Sequence, residues 1–343
     1  MAKKYLFILF LLTAFQASAQ FELNVPKWYP EMKPAALYVV GDAGNEYAQK
    51  IKQIITDNWT ACPVHFLPAK EISESLLVPG NLFLTTDLYS IESQYARANK
   101  TYGQISYNDY YYLHIWTINK KYNPKWTLPE NKTTVIRAEL YMRTIGMGDE
   151  EYKAFELTDA PKSVYETERK SRRKTSFDIF DPYYGDDYLN AMPGMIKNKI
   201  QYANKAVQDL KDQKLLSDYT DEAALSKLKN DTLYIPNLWW GRHAIMPENI
   251  KQDSKMYKQT VSYITDLVNA YPFPKRLIAR DELDQLILDT RKDLYYLNYV
   301  QSSADKIISV VNGKSGEVIY RESSKNSYRP KEKDLEKLGK SIQ

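Results

Sequence analysis

Cysteine, histidine and glycine are scarce in this 343-residue sequence, and each scarcity excludes a class of protein. The single cysteine, Cys62, cannot form an internal disulfide, so stability must come from packed cores. The three histidines, His65, His114 and His243, have no metal-ligand spacing, and neither HExxH nor CxxC occurs. The 12 glycines form no Walker loop, GxGxxG fingerprint or GxSxG elbow, so nucleotide-binding and serine-hydrolase motifs are absent as well.

An excess of charge of one sign is also lacking. The chain has 47 lysines and arginines against 43 acidic residues, so no global field attracts it to nucleic acid or anionic lipid. The basic run from Arg169 to Lys174 is not interleaved with aromatic residues. It is typical of a solvated linker rather than of a nucleic-acid interface.

The first nineteen residues have the pattern of an export signal peptide. Lys3 and Lys4 precede an apolar run from Tyr5 to Phe15, which is shorter than the ~20 residues that cross a bilayer. Ala17, Ser18 and Ala19 then form a cleavage signal, and no cysteine follows to carry a lipid. We expect cleavage before Gln20 and an exported, soluble protein, periplasmic or extracellular, with no membrane-spanning segment.

Two stretches share one predicted order of strands and helices. Residues 35–88 and 232–300 each indicate a strand, a helix, a strand, a short helix and a strand. The segment "PVHFLPAKEISESLL" lies over "PKRLIARDELDQLIL". In the first copy the short helix is predicted at Glu71 to Leu77, and in the second Asp281 is predicted as its N-cap.

Each copy is predicted to close with a hairpin. In the second, "KIISVVNGKSGEVIYRE" alternates apolar residues around a glycine-containing turn. In the first, "NDYYYLHIWTINK" pairs with "TTVIRAELYMRTI", where Ile136 and Ala138 share one face and Arg137 the other. The predicted fold is α/β (α+β), with two tandem β-α-β-α-β-β-β modules, mixed sheets and a joining helical insert.

The apolar strand followed by "NGKSGEVIY" resembles small α/β modules of exported envelope proteins, such as the N-terminal domain of TolB and the CsgG-like group. The resemblance covers about 70 residues of the second copy. It implies a non-enzymatic role in envelope assembly, secretion or polymer handling, and it transfers no catalytic residue.

The remaining segments complete the predicted organisation. A helix from Pro193 to about Leu210 carries an apolar stripe and lies in a charged linker. The predicted parts are a signal peptide (1–19), a first module (20–145), a linker with a helical insert (146–230), a second module (231–325) and a flexible C-terminal tail (326–343).

Two clusters are candidates for chemistry. The first is acidic and could offer oxygen ligands to calcium, although Pro182 and Gly185 favour an ordinary turn. No EF-hand spacing is present, and no cofactor is predicted. The acidic residues are Asp178, Asp181, Asp186 and Asp187.

The second cluster lies in "NLWWGRHAIMPEN", residues 237–249. If the modules are duplicated, this loop occupies the place of the short "GDAG" connection in the first copy, where ligands gather in such sheets. Its side chains offer flat surfaces and hydrogen-bond donors, although the tryptophans could instead pack inward. The predicted ligand- or partner-binding residues are Trp239, Trp240, Arg242 and His243.

His114 lies within a predicted strand, on the face of Tyr110, Tyr112 and Trp116. A hydrogen-bonded histidine of the sheet is the favoured interpretation.

Two functions follow from these patterns. The favoured one is an exported, non-enzymatic protein that binds an envelope protein or a polymer, glycan or peptide, through its two modules. The alternative is a secreted hydrolase of glycan or peptide, with Asp178, Asp181 or Asp187 facing His243 across a cleft between the modules.

Overall fold

The structure is a computed structural model, and its described residues fall into the following ranges. They are 21–23, 33–41, 44–96, 103–121, 123, 125, 131–146, 179–180, 192–209, 218–236, 255–289, 291, 293–302, 305–325, 327 and 330–342. The strands are β1 (Phe21–Leu23), β2 (Ala36–Val40), β3 (Val64–Leu67), β4 (Asn81–Ala96), β5 (Gly103–Ile118), β6 (Lys132–Gly146), β7 (Tyr219–Thr220), β8 (Leu233–Pro236), β9 (Lys275–Ile278), β10 (Tyr295–Ser302), β11 (Asp305–Asn312) and β12 (Val318–Ser324). The helices are α1 (Glu46–Asn58), α2 (Pro193–Asp209), α3 (Glu222–Leu225), α4 (Lys255–Asn269), α5 (Arg280–Leu288) and α6 (Glu332–Ile342). Short 3-10 turns lie at Ala69–Glu71, Glu74–Leu76 and Ser226–Lys229.

The strands form two mixed sheets with the same order of strands. The first is β1-β6-β5-β4-β2-β3 and the second is β7-β12-β11-β10-β8-β9. In the first sheet β2 is parallel to β3 and β4, and β5 is antiparallel to β4 and β6. In the second sheet β8 is parallel to β9 and β10, and β11 is antiparallel to β10 and β12. The α+β class with mixed sheets is therefore confirmed. The duplication stays a prediction, since short right-handed connections leave few topologies and unrelated modules can share one.

The residues also divide into two compact units, one around each sheet. Residues 197–202 of α2 belong to the second unit and the rest of that helix to the first. The helix matches the predicted helical insert to within one residue. The predicted module boundaries stay predictions.

Helix α1 shows how the sequence specifies a local element. Asn45 caps its N-terminus, because the side-chain oxygen accepts a hydrogen bond from the Ala48 N–H at 2.7 Å. Ile51 and Ile55 are fully buried on one face, as their helical spacing predicts. Burying each such side chain contributes about 1.5–3 kcal/mol.

The short helix predicted from Glu71 to Leu77 is wrong. Two separate 3-10 turns stand there, because Ile72 and Ser73 are extended and interrupt any α-helical ladder. Asp281 is not an N-cap either. Helix α5 begins at Arg280, with Ala279 as its N-cap residue. The Leu283 N–H donates a hydrogen bond to the Ala279 carbonyl at 2.9 Å.

The predicted flexible tail is also wrong, since residues 332–342 form α6. Leu335, Leu338 and Ile342 recur at helical spacing and are buried in the core of the second unit. The charged residues of this helix other than Asp334 are exposed. Gly339 lies so close to Pro272 that a Cβ there would be 2.6 Å from the proline Cδ.

A buried ion pair fixes α6 to the second sheet. The Lys306 ammonium on β11 donates to the Asp334 carboxylate, and their side chains are 1% and 10% exposed. The same carboxylate accepts a hydrogen bond from the Lys331 N–H at 2.6 Å, at the start of the helix. The carboxylate therefore joins the strand and the helix terminus.

Replacing Asp334 with asparagine keeps the side-chain shape and removes its charge. We expect the free energy of unfolding, measured by urea denaturation, to fall by about 3–5 kcal/mol, because the Lys306 charge stays buried without this carboxylate. Lys337→Ala is the matched control. Lys337 is 57% exposed and pairs with Glu322 at 2.8 Å, so its loss should cost less than about 1 kcal/mol. Equal losses in the two variants would contradict the role of the buried pair.

Candidate functional site: a histidine network and a three-stranded arm

The residues that the sequence singled out for binding lie outside the described residues. This holds for the aromatic loop and for the acidic cluster, of which only the intervening Ile179 and Phe180 are described. Within the described ranges, no group of three or more histidine, cysteine or acidic residues could hold a metal ion. The undescribed candidates are Trp239, Trp240, Arg242, His243, Asp178, Asp181, Asp186 and Asp187.

In the part of the chain that the structure describes, no helix has both the length and the apolar composition needed to cross a membrane.

One face of the first sheet changes from apolar to polar along its strands. Phe83, Trp116 and Ile118 form a buried apolar patch on this face, and Phe83 and Trp116 stack with ring centroids 4.4 Å apart. The 3-10 turns between β3 and β4 pack Leu76 and Leu77 against the patch. Further along the strands, residues at the same alternation are polar.

His114 lies at the centre of these polar residues. Its Nδ1 is 2.6 Å from Asp87 Oδ2, and its Nε2 is 2.9 Å from Thr134 Oγ1. Thr85 extends this series of hydrogen bonds, since its hydroxyl donates to Asp87 Oδ1 at 3.1 Å and accepts from Trp116 Nε1 at 3.1 Å. We call these five residues the His114 network. The predicted hydrogen-bonded sheet histidine is thus confirmed.

The charge of Asp87 sets the orientation of the imidazole. Burial raises the pKa of Asp87, but the hydrogen bond and charge of His114, the charge of Lys132 and the Thr85 hydroxyl together hold that pKa below its ordinary value of 3.8. The ionised carboxylate can only accept hydrogen bonds, so His114 Nδ1 carries a proton and donates it. Nε2, on the other side of the ring, is within hydrogen-bond distance of the Thr134 hydroxyl.

Two cation–π pairs flank the network. The Lys132 ammonium lies 4.2 Å from the centroid of the Trp116 ring, and the Arg137 guanidinium lies 4.3 Å from that of Tyr112. Burial lowers the pKa of Lys132, and the charge of Asp87 opposes that shift. The network is therefore a partly buried, charged cluster on a sheet face.

The three central strands of this sheet continue far beyond the network. They have 16, 16 and 15 residues, whereas their counterparts β10, β11 and β12 have 8, 8 and 7. We call the extension the arm; it comprises Leu88–Ala96, Gly103–Tyr111 and Glu139–Gly146. At roughly 3.4 Å per residue the arm is about 30 Å long. A register shift between Tyr111 and Tyr112 marks its base on the β5–β6 side.

Strand β4 forms one edge of the arm. It pairs with β5 from Leu82 to Ala96, but with β2 only from Asn81 to Leu84. Among the described strands, none pairs with the outer edge of β4 between Leu88 and Ala96.

The predicted hairpin of "NDYYYLHIWTINK" and "TTVIRAELYMRTI" is confirmed and includes most of the β6 part of the arm. Sequence reasoning missed the partners of His114 and the β4 part of the arm. The strand around Leu82 was predicted to end at Thr86, although Tyr89, Ile91 and Tyr95 recur at even spacing and could have indicated its continuation. Asp87 and Thr134 carry no local signal, because strand pairing brings them to His114 from 27 and 20 residues away.

No model of a known protein family matches the chain, and no curated protein matches it either. The resemblance to envelope modules therefore stays a prediction.

Asp87→Asn should weaken the network. We expect the free energy of unfolding at neutral pH to fall by about 1–3 kcal/mol, since the imidazole loses its charged acceptor. Because the folded pKa is lowered, the stabilisation by Asp87 is present above the ordinary value of 3.8 and is lost as pH falls through the lowered pKa. The difference between wild type and variant should therefore close in strong acid.

Denaturation midpoints measured across this pH range check the expectation, with Asp57→Asn as the control. Asp57 is exposed and accepts only a local hydrogen bond from Gln53 at 2.7 Å, so its variant should follow the wild type throughout. A difference for Asp87→Asn that is constant from neutral to strongly acidic pH would contradict the network.

Proposed function

We propose that the protein is an exported, non-catalytic binding protein that engages an envelope protein or polymer through the arm of its first unit. The observation that carries the proposal is the length of β4, β5 and β6. The second unit completes the same strand order with about half as many residues in these strands. Completing the sheet therefore does not require the arm.

The cost of ordering the arm supports a role in binding. Fixing the backbone costs about 1–2 kcal/mol per residue, and strands need an apolar face or further pairing to offset it. Contacts between the arm and a partner would help to offset this cost. The signal-peptide pattern of residues 1–19 supports export, which would place the arm among envelope components.

The position of the His114 network supports binding over catalysis. Thr134 lies inside β6 and is paired with Trp116 of β5. Backbone N–H groups of a strand lie in the plane of the sheet and pair with neighbouring strands. They therefore do not point at an acyl group attached to Thr134, as the N–H groups of an oxyanion hole must. His114 is also 9% exposed at its side chain. We infer that the network stiffens the base of the arm.

An arm-shortened variant tests this function. Leu88 and Tyr111 are directly paired, so joining them through Asn-Gly replaces residues 89–110 with a two-residue turn and leaves the paired strands below intact. A photo-crosslinking amino acid at Ser93 in the native cell should give one adduct of defined mass. The same amino acid at exposed Ser323 of β12, in otherwise wild-type chain, should give none.

A second position separates binding from folding. With the crosslinker at Thr86, which lies outside the His114 network and is retained on shortening, the full-length protein should give the adduct and the arm-shortened variant should lose it, while both unfold cooperatively. Equal adducts from Ser93 and Ser323, or an adduct that survives shortening, would refute binding through the arm.

A second candidate function, a secreted hydrolase of peptide or another acyl substrate, is favoured by the order Asp87, His114, Thr134. That order would let the Thr134 hydroxyl attack an acyl carbonyl while its proton passes to His114 Nε2. The leaving group would take up the proton, and water would then release the acyl group from Thr134.

Hydrolysis of p-nitrophenyl acetate distinguishes this candidate. A hydrolase requires that Thr134→Ser retains activity while Thr134→Ala and His114→Asn lose it, with Thr86→Ala as the control. The binding function instead predicts that all four variants and the wild type give the same low rate.

A further inference from the structure

The sequence of β4 lacks several residue types that usually protect a sheet edge. Proteins block such edges with proline, lysine or arginine, or with bulges that twist the strand away. The sequence of β4, "NLFLTTDLYSIESQYA", contains no proline, glycine, lysine or arginine.

The pairing of β4 is also regular. Its register with β5 runs from Leu82–Thr117 to Ala96–Gly103 without a shift, whereas the β5–β6 pairing has two. The irregularities of the arm are thus confined to the side away from the outer edge. In a regular antiparallel pair, every second residue of β4 directs its N–H and C=O outward.

We propose that the edge from Leu88 to Ala96 binds an extended, net-basic segment of a partner protein as an additional strand of the first sheet. The inference rests on the proposed function and specifies the partner of the arm. Backbone hydrogen bonds would supply affinity that does not depend on side-chain identity.

The charge of β4 selects the chemistry of the partner. Asp87 and Glu92 are its two charged residues, and both are acidic. Asp87 is 29% exposed and lies at the start of the arm, with its pKa held low. Basic side chains on the incoming strand would complement this edge.

The same charges disfavour a second copy of the chain. Pairing β4 with β4 would bring together two acidic strands with no base on either, and like charges across a pair of strands are destabilising. A basic segment of another protein meets no such repulsion.

Two decapeptides test the edge with the mature, full-length protein. One alternates lysine with valine and the other alternates glutamate with valine. We expect the lysine peptide to bind at least about tenfold more tightly by fluorescence anisotropy. It should also slow amide hydrogen exchange in residues 88–96, but not in β10 of the second unit.

A lysine–valine peptide methylated on alternate backbone nitrogens is the matched control. It keeps the charge but cannot complete a strand ladder, so it should bind at least about tenfold more weakly than its parent. The double variant Asp87→Asn, Glu92→Gln should bind the parent peptide more weakly, and the arm-shortened variant should not bind it.

Four results would overturn the inference. Equal binding of the methylated peptide would show attraction by charge alone, and equal binding of the glutamate peptide would refute a basic partner. Dimerisation of the protein that is lost on arm shortening would assign the edge to a second copy. If the arm gives adducts in cells but amide exchange in residues 88–96 is unchanged by the lysine peptide, strand addition is refuted and the proposed function stands. If the arm gives no adducts in cells, the proposed function itself is refuted.

Discussion

The continuous backbone ladder of β4 and β5 is the interaction on which the rest of the first unit depends. It runs without a shift along nearly the whole of both strands. Because a ladder pairs residues rigidly across the sheet, it sets Asp87 beside His114 and carries the arm outward from the same point. Beyond Leu84, none of the described strands pairs with the other side of β4. Backbone groups on the other side need water or a partner.

The two units have the same strand order but differ in the length of their strands and in what packs against them. In the second, short strands are closed by α6, which is held by apolar residues and by the ion pair of Lys306 and Asp334. In the first, the same strands are prolonged, and a polar network follows the apolar patch of Phe83, Trp116 and Ile118 along one face. Asp87 of this network is 29% exposed. We propose that the first unit is the binding element of the protein.

The sequence predicts the elements whose apolar residues follow a clear pattern. Helix α1 and the closing hairpin of the second unit lie where their apolar residues place them. The β4 part of the arm was missed because Glu92, Ser93 and Gln94 form a run of polar residues that is typical of a loop. Helix α6 was missed for another reason. Its apolar residues have helical spacing, but charged residues surround them in the sequence and indicated a tail.

The candidate site was less predictable than the fold. Strand alternation placed His114 on a face with Trp116, but only the pairing register shows that Asp87 and Thr134 reach its two nitrogens. Bulges between Ile115 and Trp116 and at the base of the arm alter that register, and no local pattern announces them. The loop of Trp239 and Trp240 remains a prediction.

The central claim is that β4 gains a strand when the protein is in its native envelope. Amide hydrogen exchange of the mature protein, measured in purified form and again with an envelope extract, tests it most directly. The account predicts that the extract slows exchange at alternate residues from Leu88 to Ala96 and leaves β10 unchanged. Identical exchange along β4 with and without the extract would contradict it.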